Sequence, residues 1–137
     1  MGYATVSLTL VGERLDPEAV TAIMGLSPTS SHLAHDSSAI RKHGDRAGRL
    51  GQWHLSRNDL RVEDIESVVR EFADAYLKTR SSLVGIERCQ LSIGLMNCRS
   101  VGDSFVLSPG LLRLLANADC FLFVDAYGQE ETGTATG

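Results

Sequence analysis

The sequence is poor in the residues that announce a chemistry. It has three cysteines in 137 residues, Cys89, Cys98 and Cys120, an odd set with no Cys-x-x-Cys pair. That usage argues against a disulfide framework. Two of the three stand in apolar runs, where a free cysteine behaves as a small buried hydrophobe, as suits a reducing cytosol. Aromatic residues make up only 6%, with a single tryptophan, so basic residues interleaved with aromatics for single-stranded nucleic acid are missing. The longest apolar stretch, around residues 111–115, is interrupted by Arg113 and falls far short of the roughly 20 residues of a membrane span. The first residues lack the basic segment and apolar core of a secretory signal. Val6 stands where a myristoylation signal has Ser or Thr. There is no basic excess either: 13 Lys and Arg against 17 Asp and Glu give a net charge of −4. That balance argues against nucleic acid as a partner and is compatible with a basic protein. The expectation is a cytoplasmic protein that does not engage a membrane and needs no cofactor.

What is present is a regular alternation of strands and helices. The length fits one domain over residues 1–127, able to bury a core without staples. Ala4, Val6, Leu8 and Leu10 alternate with Thr5, Ser7 and Thr9, which predicts a half-buried strand. Asp16 and Pro17 then give a helix start, Val20, Ile23 and Met24 an apolar stripe, and Gly25 a stop. From about residue 30 the chain turns irregular, and residues 34–50 are expected to form a long loop. Residues 52–56 predict a strand with Trp53 and Leu55 inward. The clearest helix covers residues 62–79, where Val62, Ile65, Val69, Phe72 and Tyr76 recur at spacings of three and four. Residues 86–97 predict another strand, and Phe105, Val106 and Leu107 a short one. Ser108 and Pro109 repeat the capped-helix device, and residues 120–127, apolar on both faces until Asp125, predict a central strand. The Gly- and Thr-rich residues 128–137 have nothing to bury and are expected to be disordered. The order implies an α+β fold: a mixed or antiparallel sheet of four to five strands with helices on one face, of split-βαβ or ferredoxin-like character.

Few constellations could carry chemistry. His32, His35, Asp36 and His43 have a His-x-x-His spacing that could supply metal ligands, but the set is incomplete and lies in a loop, so solvated histidines are the plainer reading. Arg41, Lys42, Arg46 and Arg49, with nearby glycines, could hold a phosphate or carboxylate. No phosphate-loop spacing accompanies them. Trp53, just after Gly51-Gln52, reads as a core anchor; if it faced a groove beside the loop it would join the binding set. The acidic residues of the long helix read as a solvated face, and Asp125 as a carboxylate reaching solvent from a strand end. No nucleophile sits in a diagnostic context, and Ser108 is explained by capping. Catalysis is unsupported.

The ordered pieces Leu15-Asp16-Pro17-Glu18, Leu26-Ser27-Pro28-Thr29 with His32, Gly51-x-Trp53, Leu107-Ser108-Pro109-x-Leu111-Leu112 and Val124-Asp125-Ala126-Tyr127 resemble the bacterial family called domain of unknown function 4279. The resemblance runs from about Thr5 to Tyr127. Where that pattern has Gly-Asp after its histidine, this chain has Ala34-His35-Asp36, keeping the acid and losing the glycine. The resemblance implies a fold and supplies no chemistry. With no catalytic motif, a small size, an acidic balance and a long loop, the expected function is a non-catalytic protein-binding domain. The likeness to small bacterial domains of this kind implies, most concretely, an immunity-type inhibitor that occludes a cognate toxin. The alternatives are a small-ligand or anion sensor using Arg41, Lys42, Arg46, Arg49 and Trp53, and a metal-dependent hydrolase built on the histidines.

Overall fold

The structure, a computed structural model, describes residues 3–36, 49–96 and 105–127. Its centre is β1 (Tyr3–Gly12), whose Ala4, Val6, Leu8 and Leu10 are fully buried. The alternation read from the sequence thus becomes one core face and one open face. β1 pairs antiparallel with β3 (Gly51–Leu60) on one side and with β4 (Arg88–Met96) on the other. Short β2 (Ser30–His32) lies outside β3, and β5 (Cys120–Tyr127) runs parallel to β4, giving the order β2-β3-β1-β4-β5.

Among the described residues, three helices cover the core face: α1 (Pro17–Met24), α2 (Ile65–Thr79) and α3 (Pro109–Asn117), with α2 touching both of the others. β3 and β4 are both antiparallel to β1, so the β3-α2-β4 crossover joins two parallel strands with β1 between them. This is the split-βαβ unit. The α+β class and the one-sided five-stranded sheet agree with the reading of the sequence.

The start and stop signals do what their chemistry dictates. The Asp16 carboxylate accepts the Glu18 N–H at 3.1 Å, Pro17 opens α1, and Gly25, at φ +71°, closes it by donating to the Thr21 carbonyl. Ser108 Oγ accepts the Leu111 N–H at 3.3 Å to cap α3. α2 follows one 3₁₀ turn, Val62–Asp64, and buries Ile65, Val68, Val69, Phe72, Ala73 and Tyr76. Arg57 and Glu71 make a two-point ion pair that ties β3 to the outer side of this helix.

Three elements differ from expectation. Residues 30–32 form β2 instead of opening the irregular stretch: polar Ser30, Ser31 and His32 have no apolar pattern to signal a strand, and their pairing comes from the neighbouring edge of β3. Phe105, Val106 and Leu107 form no strand; Phe105 and Leu107 pack against the core while the following Ser108 N–H is taken by Glu66 of α2 at 3.2 Å. Finally, β5 is an edge strand and not a central one. The parallel connection through α3 places it beside β4, and no described strand lies beyond it. Residues 128–137 lie outside the described residues.

Candidate functional site

With the three described helices on one side of the sheet, the side chains of its other side are not covered by any described helix. Its register brings side chains into rows. His54, Thr9, Gln90 and Phe121 form one, Ser56, Ser7, Ser92 and Phe123 the next, and Thr5, Gly94 and Asp125 a third. The polar members bond to one another: Ser7 Oγ donates to Ser56 Oγ at 3.2 Å, Ser56 Oγ to Asn58 Oδ1 at 3.1 Å, and Gln90 Nε2 to Ser92 Oγ at 3.3 Å. Thr9 Oγ1 and His54 Nδ1 are 2.8 Å apart. Burial lowers the His54 pKa from its ordinary 6.5, so the imidazole is neutral at neutral pH. A shallow depression of about 340 Å³ lies over Thr5, Ser7, Asn58, Ser92, Gly94 and Asp125. It is a hydroxyl-lined hollow in which Gly94 contributes no side chain.

The character of the face changes at β5. Phe121 and Phe123 are 54% and 39% exposed, and Val124 on the opposite side of the strand is 49% exposed. The Arg88 guanidinium lies 4.4 Å from the Phe121 ring centroid and 5.5 Å from that of Phe123, holding both rings in a cation–π stack. Asp125 is exposed, as its position near the strand end implies.

The sequence-derived candidates do not gather into one site. Trp53 is fully buried in the core and its Nε1 donates to Thr21 Oγ1 at 3.0 Å. It is therefore removed from the binding set: an indole opposite Leu10 on the inner face of β3 anchors α1 and cannot meet a ligand. His32 sits on β2 opposite Gln52 and donates from Nδ1 to the Leu33 carbonyl at 3.1 Å. His35 takes a left-handed φ of +60° in the turn that follows, where Asp36 N–H bonds the Leu33 carbonyl. Arg49 is exposed at the entry to β3. Arg41, Lys42, His43 and Arg46 lie outside the described residues. Among the described residues, no three His, Cys, Asp or Glu side chains come together as a metal would require.

A second hollow, about 630 Å³, runs along the polar side of α2 between Glu63, Glu66, Arg70, Asp74, Phe105 and Val106. Arg70 pairs with Glu66 within it, which is the solvated helix face expected of these residues. Glu66 has its pKa lowered chiefly by hydrogen bonding from Ser108, so helix cap and carboxylate support each other.

The family model for a domain of unknown function (DUF4279) matches residues 3–129. The chain belongs to this family. No curated protein and no solved structure matches it. The match takes in every described strand and helix, so the sheet with its open face belongs to the family domain. Among the described residues, no helix is long and apolar enough to cross a membrane.

The residues that sequence reasoning passed over are Phe121, Phe123 and Arg88. The signal was present, since residues 120–124 are apolar on both faces. That pattern is shared by a strand buried on two sides and by an edge strand with an uncovered apolar face. Only the strand order separates the two.

Proposed function

We propose that this chain is a non-catalytic protein-binding domain, an immunity-type inhibitor that engages a cognate bacterial toxin through β5 and the adjoining open face of the sheet. The observation that carries the reading is the exposed row of Phe121 and Phe123, stacked on Arg88, along an eight-residue strand at the sheet edge. Aromatic residues and arginine are the types enriched in protein interfaces. An edge strand offers a row of backbone donors and acceptors that a partner strand can satisfy. The side chains alternate along β5, so backbone pairing would supply affinity and the two rings would supply specificity.

The partner is expected to be basic. A net charge of −4 favours encounter with a positively charged surface and makes the association rate sensitive to salt. Inhibition by occlusion requires a surface held in place and no catalysis, and the described helices packed behind the sheet support the first of these.

Co-purification from the native strain tests the reading, with the wild-type chain and a Phe121→Ser, Phe123→Ser double variant as parallel baits. A toxin retained by the wild type and lost with the variant, together with lost protection of a toxin-expressing host, is the expected result. A wild-type chain that retains no protein and protects against no neighbouring toxin overturns it.

A further inference from the structure

Cys89 and Cys120 occupy directly opposed positions on the neighbouring strands β4 and β5. Their Sγ atoms are 2.8 Å apart. Adjacent strands run about 4.8 Å apart, inside the Cα separation of about 4.4–6.8 Å that a disulfide spans. The pair differs in access: Cys89 is 3% exposed, while Cys120, the first residue of β5, is half-buried. A hollow of about 250 Å³, lined by Tyr76, Arg80, Arg88, Cys89, Asp119 and Phe121, opens beside Cys89 and includes both chain neighbours of Cys120. Arg80 is fixed there by donating to the Asn117 carbonyl at 2.7 Å and to Asp119 at 3.4 Å. We propose that Cys89 and Cys120 form a reversible dithiol–disulfide site that is oxidised by low-molecular-weight disulfides.

The two sulfurs are suited to different parts. The hydrogen bond from Cys89, and to a lesser degree the Arg80 charge, lower the Cys120 pKa, whereas the same hydrogen bond and burial raise that of Cys89. Cys120 is thus the attacking thiolate and Cys89 the resolving thiol. In the first step the Cys120 thiolate attacks one sulfur of a disulfide RSSR; the Cys120–SR bond forms, the S–S bond of the reagent breaks, and RS⁻ leaves. RS⁻ takes the Cys89 proton and departs as RSH. The Cys89 thiolate then attacks Cys120 Sγ and expels the second RS⁻, which is protonated from solvent. The protein loses two electrons and two protons, and RSSR becomes two RSH. The reverse reaction with a dithiol reductant restores both thiols.

The product joins β5 covalently to β4 across a loop that contains α3. In the chain-entropy account, closing a loop of this length raises the melting temperature by on the order of 5 °C or more. The site needs no partner of β5, so it stands or falls separately from the proposed function.

The test uses the full chain carrying Cys98→Ser, which leaves Cys89 and Cys120 as the only thiols. The folded protein is incubated with oxidised glutathione and analysed by intact mass and peptide mapping. The expected product is two hydrogen atoms lighter than the starting protein, carries a Cys89–Cys120 crosslink, melts at a higher temperature and reverts with dithiothreitol. Cys89→Ser should instead accumulate a glutathione adduct on Cys120, because nothing resolves it. The proposal is overturned if both thiols stay free to alkylation after unfolding, or if the Cys98→Ser protein retains a stable glutathione adduct without the crosslink. Both outcomes are read on a protein with Cys89 and Cys120 intact, so poor folding of Cys89→Ser does not obscure them.

Discussion

Trp53 shows how one side chain can be settled by its partner atom. Its indole N–H ends on Thr21 Oγ1, which itself donates to the Pro17 carbonyl at 3.0 Å, so the ring locks α1 to β3 through a two-bond relay. Trp53→Phe should cost about 2 kcal/mol, from the lost hydrogen bond and the space left by the smaller ring, measurable as a lower urea midpoint with unchanged slope. Gly12 is fixed by a close approach: a Cβ there would stand 1.8 Å from the Gly85 carbonyl oxygen, in a backbone segment that cannot swing aside like a side-chain tip. Gly12→Ala is therefore expected to destabilise by about 3 kcal/mol in the same assay. His54 gives the open face a pH dependence. Its pKa in the folded chain is below the ordinary 6.5, so the unfolded chain binds the proton more readily. Its contribution to stability is complete above about pH 6.5 and is lost as the pH falls from there towards the lowered folded value. A melting-temperature series across that range should fall with acidification, and His54→Gln should flatten it.

At the level of elements, the two proline-led helices repeat one device with different consequences. Asp16 caps α1 by a local bond alone, and Asp16→Ala should cost about 1 kcal/mol. Ser108 caps α3 while its N–H is bound by Glu66 and its Oγ also accepts from Arg70 at 3.2 Å, so the start of α3 is fastened to α2. Ser108→Ala should cost more than Asp16→Ala under identical denaturation conditions, because two helices lose a shared contact. Both starts were legible, since Asp-Pro and Ser-Pro before an apolar stripe satisfy local rules of backbone geometry. β2 was not legible, because three polar residues become a strand only when β3 offers its edge. Phe105 and Leu107 went the other way: a strand-like tripeptide packs two of its side chains against the core without pairing to a strand.

For the molecule as a whole, the arrangement that matters is that the described helices cover one face of the sheet and leave the other to the side chains of its strands. Phe121→Ser with Phe123→Ser should abolish partner binding and cost about 1–2 kcal/mol of folding stability, since both rings are partly exposed and stack on Arg88. Thermal melting beside the binding assay separates the two effects. A variant that is folded at the assay temperature and no longer binds would assign the rings to recognition. Association with a basic partner should slow as ionic strength rises, in line with the net charge of −4.

The sequence by itself determined the local grammar: an alternating first strand with Ala4, Val6, Leu8 and Leu10 inward, two capped helices, the amphipathic stripe of α2, and the α+β class that their order implies. Periodicity and capping act over a few residues, so they can be read without knowing what packs where. Only the tertiary structure decided that β1 lies at the centre and β5 at the edge, because strand order depends on crossovers that span dozens of residues. That order turned the apolar residues 120–124 from a buried strand into an uncovered one. It buried Trp53 and kept His32 and His35 from joining any described metal cluster. It also set Cys89 against Cys120, two thiols 31 positions apart in the chain and 2.8 Å apart in space.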